Sequence, residues 1–218
     1  MEDWFVPTHM KQLANKSTQF FGYDQQGHIN YEFNNLGFRT DNAVGHSTIN
    51  LIGNSISFGI GLHHHQTFGS ILSTNLNRKL NNLSFGCYFH ENHDHITNIK
   101  KLANQDSDDI YIIQINNLDR QRIDPTLVIS GNDQSFCKKR FLDYFDQVTE
   151  LLKNKITFFL YWDDIYYDFS PSIINQILIF NKGHLDISLL HNKDTFGIKT
   201  NRFISNSIIS KLNLTQLT

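Results

Sequence analysis

The residues best suited to chemistry fall in one stretch, LIGNSISFGIGL, at positions 51–62. An apolar run stops at Gly53, Ser55 follows, and Gly59 and Gly61 punctuate the next turns. A serine there can serve two ends. It can cap the helix that follows, a common task between a strand and a helix. Or its hydroxyl can attack a carbonyl, given a base to take the proton and donors to hold the oxygen that gains charge. Spacing alone leaves both open. Other chemistry-bearing groups are scattered. LHHH (62–65) and HENHDH (90–95) hold six of the eleven histidines. Imidazole is a common zinc or nickel ligand, but no cysteine lies in either cluster at ligand spacing. The expectation is a polar rim, with no metal and no cofactor. YWDDIYYDF (161–169) mixes rings with acids. Trp162, Tyr166 and Tyr167 could stack on a sugar or acyl chain, and Asp163 and Asp164 could accept from hydroxyls; the plainer reading is a loop packed over the core. Phosphate-binding loops rich in glycine are absent.

The elements that must position Ser55 follow from periodicity. STINLIG (47–53) is a short β-branched and apolar run ending in glycine, which reads as a buried strand. Positions 66–80 carry Phe68, Ile71, Leu72, Leu76 and Leu80 at helical spacing, and 81–86 reads as a second strand. A helix at 95–103, a strand at 108–115, a helix at 136–155 and a strand at 156–162 continue the alternation. A short helix at 171–178, with Pro171 in its first turn, and a terminal helix at 197–212 complete it. Strands alternating with helices imply a parallel sheet. The expected fold is a three-layer α/β/α sandwich with a mainly parallel five-stranded sheet in flavodoxin-like order. Ligands of such sheets sit beyond the carboxyl ends of the strands. Residues 1–45 show weak periodicity and read as an N-terminal arm with one strand at 29–33, leaving 46–218 as the α/β domain.

The totals exclude several classes. The chain has 218 residues and a formal charge of −2, with an isoelectric point near 6.6. No global field draws nucleic acid or anionic lipid. The short basic clusters RKL, IKK and CKKR read as solvated helix faces. No run of about 18 apolar residues occurs, so no transmembrane helix is expected. The opening residues do not read as a secretory signal. Cys87 and Cys137 are the only cysteines and read as reduced thiols of a cytoplasmic protein.

Several segments together resemble the SGNH/GDSL hydrolase superfamily. NLIGNSISFGIGL with QTFGSIL is similar to its first block, a strand ending in Gly-Asp-Ser before a helix. YEFNNLGFRTDN (31–42) resembles the Asn-x-x-Gly-Phe-Arg lead-in of many bacterial and phage members. NNLSFGCY (81–88) sits where the second block ends at a glycine, and IYIIQINNLDR (110–120) where the third carries its asparagine. The resemblance implies a serine esterase or acyltransferase acting on a small O-acyl ester, possibly on a glycan. Ser55 is then the nucleophile. The N–H groups of Ser55 and Gly86, with the side-chain amide of Asn117 or its neighbour Asn116, form the oxyanion hole. Asn54, where the family has an acid, lines the substrate side together with His93 and Trp162.

The last block departs from the family. Its Asp-x-x-His, anchored on Gly197, falls on Asn192 and Thr195 in HNKDTFGIKTNRF (191–203). Threonine is no base near neutral pH, and asparagine brings no charge to an imidazolium. Two replacements for the base stand open: His191 with Asp194 or Asp186 as partner, or His90 or His93 of the loop after Gly86. The alternative function is a binding module that keeps the crevice and has lost turnover. A further one is an oxyanion site turned to binding carboxylate or phosphate.

Overall fold

The computed structural model describes residues 8–21, 28–39, 48–86, 92–104, 108–115, 121–124, 127–129, 134–161, 177–179 and 197–215. In chain order its elements begin with α1 (Thr8–Lys11), β1 (Ser17–Phe21), β2 (His28–Glu32), β3 (Thr48–Ile52), α2 (Ser55–Phe58), α3 (Phe68–Leu76) and β4 (Lys79–Asn82). They continue with α4 (Ile96–Ala103), β5 (Ile110–Ile115), β6 (Gln121–Asp124), β7 (Leu127–Ile129), α5 (Gln134–Leu151), β8 (Ile156–Tyr161), β9 (Ile177–Ile179) and α6 (Ile198–Thr215). The central sheet has five strands in the order β4-β3-β5-β8-β9, every neighbouring pair parallel. Numbered within the sheet this is 2-1-3-4-5, the flavodoxin-like order expected.

The strands read as apolar runs because helices cover both faces of a parallel sheet. All six residues of β5 except Gln114 are apolar or aromatic, and all six are buried. Ile110 and Ile112, with Ile49 and Leu51 of β3, meet Phe68 and Leu72 of α3 and Ile204, Ile208 and Leu212 of α6. Tyr111, Ile113 and Ile115 point the other way, toward Ile99 and Leu102 of α4 and Phe141, Phe145 and Val148 of α5. A polar seam crosses three strands away from the carboxyl ends. Asp109 accepts from Thr48 N at 2.9 Å and Asn50 Nδ2 at 3.1 Å, and Asn50 Oδ1 accepts from Asn81 Nδ2 at 2.9 Å. Such buried pairings hold register, since a one-residue slip strands every partner.

Three expectations change. The helix read over 66–80 ends at Leu76: Asn77 adopts a left-handed conformation (φ 51°), and its N–H closes onto Ser73 and Thr74. Leu80 therefore belongs to β4, which occupies Lys79–Asn82 rather than 81–86, and its side chain reaches the core from the sheet. Residues 177–179 form the edge strand β9, where the helix read over 171–178 would have ended; positions 171–176 lie outside the described residues. The segment read as an arm carries an antiparallel hairpin, β1 with β2. Its Ile29, Tyr31, Phe33 and Phe38, with Met10, pack into the same core as α4 and α5. Among the described residues no helix is long and apolar enough to cross a membrane.

Candidate active site

Ser55 opens α2, a single helical turn just past the carboxyl end of β3, the second strand from one edge of the sheet. One turn cannot hold itself, since nucleation fixes several residues for a single hydrogen bond. Buried side chains from elsewhere brace it. Gln114, at the carboxyl end of β5 and 2% exposed, accepts through Oε1 from Asn54 N (3.3 Å), Ser57 N (3.0 Å) and Ser57 Oγ (2.6 Å). Its Nε2 donates to Asn54 Oδ1. Asn54 is the N-cap of the turn, its Oδ1 also accepting from Ile56 N at 3.4 Å. On the other side Asn82 Nδ2 donates to Ser57 O at 3.0 Å. Gly53 is required by this clamp: a Cβ there would lie 2.6 Å from Gln114 Cβ and 2.8 Å from Ser57 Oγ. Gly59 closes the turn at φ 78°, a left-handed conformation that glycine adopts without strain.

The chain after β4 comes alongside the end of β3. Phe85 N donates to Gly53 O at 2.8 Å, extending the β3–β4 pairing past the strand ends. This brings Gly86 level with the Asn54–Ser55 step. A side chain at Gly86 would press on the Phe58 ring, whose atoms lie 3.1–3.2 Å from the ideal Cβ position. Among the described residues neither Ser55 N–H nor Gly86 N–H donates a hydrogen bond. Ser55 N–H is one of the orphan donors of a helix start. Undonated backbone N–H groups are the kind of donor from which an oxyanion site is built.

Ser55 departs from expectation in one respect. A serine just past the end of a strand is expected to expose its hydroxyl, yet the residue is only 3% exposed, drawn in by the clamp beneath it. Its Oγ is nevertheless not among the enclosed, unpartnered polar atoms of the fold. No described side chain hydrogen-bonds it.

The other sequence-derived candidates divide by location. Asn54 is where the reading placed it, but its carbonyl oxygen is committed to Gln114 and Ile56. The backbone of His93 lies in a 3-10 turn, Asn92–His95, directly before α4. His95 is not part of a polar rim: it is fully buried and stacked on Phe85 at 4.3 Å, and Phe85 stacks in turn on Phe38 at 6.4 Å. Among the described residues no three histidines, cysteines or acids converge on a metal position. Asn116, Asn117, Trp162, Asp163, Asp164, Tyr166, Tyr167, Asp186, His191, Asn192, Asp194, Thr195 and His90 lie outside the described residues. The terminal helix is anchored at its start by Asn201, whose Nδ2 donates to Gly197 O (3.1 Å) while Oδ1 accepts from Phe68 N (2.9 Å). That pair ties the start of α6 to the start of α3. Sequence reasoning missed Gln114, although a lone polar residue inside IYIIQI was a visible signal.

No family model matches the chain, and no curated protein matches it. Solved structures do. A member of the lipolytic protein G-D-S-L family from Veillonella parvula DSM 2008 superposes with a TM-score of 0.51 at 13% identity, covering 75% of this chain and 97% of that one. A carbohydrate esterase family 2 enzyme of Corynascus thermopiles (Myceliophthora fergusii), with its carbohydrate binding domain, gives 0.47 at 12% identity over 79% of this chain and 69% of that one. A G-D-S-L protein from Desulfitobacterium hafniense DCB-2 gives 0.43 at 14% identity over 73% and 98%. The chain has the fold of the GDSL, or SGNH, hydrolases in divergent form.

Proposed function

We propose that this chain is a serine esterase or acyltransferase of SGNH type, acting on a small O-acyl ester, with a glycan ester among the candidates. One observation supports the reading: Ser55 stands at a helix start beyond an inner parallel strand, and among the described residues neither its own N–H nor that of Gly86, on the neighbouring chain after β4, donates a hydrogen bond. In the proposed reaction Ser55 Oγ attacks the ester carbonyl carbon and its proton passes to a base. The carbonyl oxygen takes up the charge, facing the two N–H groups and the Asn117 amide. The C–O bond to the alcohol breaks, the alcohol leaves with that proton, and water or a second alcohol removes the acyl group from Ser55. His191 with Asp194 is the first candidate for the base and His93 the second.

The experiment is hydrolysis of p-nitrophenyl acetate by wild type, Ser55→Ala, His191→Ala and His93→Ala, each over pH 5 to 9. The reading expects loss with Ser55→Ala and with one histidine variant, and a rate that rises with pH as that imidazole loses its proton. Wild-type rates in both histidine variants remove both bases. A binding module that has lost turnover is the second reading. It is favoured by Asn192 and Thr195 at the family's Asp and His positions and by the 3% exposure of Ser55. It expects no hydrolysis by any of the four proteins.

A further inference from the structure

Arg39 is 2% exposed and has no carboxylate partner among the described residues. Burying a guanidinium without a counter-ion is costly, so its surroundings must supply the missing interactions. They do so with backbone. Nη1 donates to Gly59 O at 2.7 Å and Phe58 O at 3.2 Å, and Nη2 donates to Leu62 O at 2.8 Å. The Tyr31 ring lies 4.1 Å and the Phe58 ring 5.7 Å from the guanidinium carbon, both within cation–π range. Burial brings the pKa of Arg39 down to about 10, so it stays charged at neutral pH. Tyr31 adds a second prop: its hydroxyl accepts from Gly61 N and donates to Gly59 O at 3.4 Å.

Apart from the stacking of Arg39 on the Tyr31 ring, these contacts fall on residues 58–62, the segment that closes the turn begun by Ser55. Gly59 N and Ile60 N both donate to Ser55 O at 3.1 Å. The Phe58 ring is also the surface on which Gly86 rests. Movement of Phe58 and Gly59 would therefore shift both candidate oxyanion donors relative to the hydroxyl. The chain leading to Arg39 is itself fixed, with Asn34 Oδ1 accepting from Leu36 N and Phe38 N at 2.9 Å each.

The geometry points to Arg39 as a positioning residue for the Ser55 turn, with Tyr31 as its second support. Resting on the reading of Ser55 as nucleophile, this gives the 28–39 segment a part in the reaction. The guanidinium fork is the requirement, because its two terminal nitrogens reach three carbonyls while its flat face fills the space beside two rings. A misplacement of about 1 Å can cost on the order of 100-fold in rate.

The test uses a fluorophosphonate probe, which forms a bond from Ser55 Oγ to phosphorus as fluoride leaves. Labelling followed against probe concentration separates probe affinity from the first-order bonding step. Arg39→Lys and Arg39→Met are expected to slow the bonding step by about 100-fold with affinity within about twofold. Tyr31→Phe is expected to slow it by about tenfold, and it carries the test if the Arg39 variants do not fold. Ile208→Ala, in the core between α6 and the sheet, loosens the protein without touching residues 58–62 and is expected to label at the wild-type rate. Folded Arg39→Lys or Arg39→Met labelling at the wild-type rate overturns the inference, as does an equal loss in Ile208→Ala. Where the Arg39 variants do not fold, Tyr31→Phe labelling at the wild-type rate overturns it. Ser55→Ala labelled like wild type overturns instead the reading on which the inference rests.

Discussion

Replacing Gln114 by leucine removes the acceptor of two buried backbone N–H groups, Asn54 N at 3.3 Å and Ser57 N at 3.0 Å. It also removes the acceptor of the Ser57 hydroxyl at 2.6 Å and a donor to Asn54 Oδ1. The four losses are not equal. Ser57 Oγ can rotate, and Asn54 Oδ1 keeps Ile56 N. The two N–H groups are rigid and have nowhere else to turn. Each buried donor left without a partner costs about 1–3 kcal/mol, so for the two N–H groups Gln114→Leu is expected to cost about 2–6 kcal/mol. That is a large share of the roughly 5–15 kcal/mol that holds a typical domain. Gln114→Glu keeps an oxygen toward the three donors but sets a second carboxyl oxygen, in place of the N–H donor, against Asn54 Oδ1 in a buried site. Its expected cost is about 1–3 kcal/mol. Urea melts of the two variants give both numbers. A cycle of Gln114→Leu with Ser57→Ala should show a coupling of about 0.5–3 kcal/mol. A loss below about 1 kcal/mol in Gln114→Leu, or no coupling, would refute the clamp.

Other expectations concern single contacts. Gly53→Ala forces a methyl to within 2.6 Å of Gln114 Cβ and should destabilise by about 1–3 kcal/mol while slowing any reaction at Ser55; melts and labelling rates report the two effects. Asn54→Ala removes the cap of α2 and should cost about 0.5–2 kcal/mol in the same melts. Burial, and secondarily the Asp109 carboxylate, pushes the Tyr111 phenol up to about 12. The folded state then keeps a proton that the unfolded chain releases near 10, so stability falls as pH rises from about 10 to 12. Tyr111→Phe should show a shallower fall over that window by chemical denaturation.

How far the fold could be read depended on how much of each element's pattern was local. IYIIQI at 110–115 announced a strand on both faces because every residue but one is apolar. Leu80 misled because a fourth apolar residue at helical spacing looks the same whether the helix continues or has stopped. The stop lies in the left-handed Asn77, which no periodicity reports. Ile177–Ile179 follows SIINQ, an apolar spacing that also fits a helix, and three residues are too few for a strand to declare itself. At the site, the glycines around Ser55 were legible as a loop, and Gly86 as a second backbone approach. The roles of Gln114 and Arg39 were not, because their partners, mostly backbone groups, are far off in the chain. Gln114 reaches chain 57–60 residues away and Arg39 chain 19–23 residues away, distances that only folding brings together. Asn54 was readable as a departure from an acid, but its role as a cap held by Gln114 required both residues in view.

The central claim is that the Ser55 hydroxyl is a nucleophile set beside two free backbone donors. Incubation of the intact protein with a fluorophosphonate, followed by tryptic digestion and mass spectrometry, tests it most directly. The account predicts one phosphonyl adduct on the peptide containing Ser55, absent in Ser55→Ala. No adduct on folded wild type, or an adduct that persists in Ser55→Ala, would contradict it.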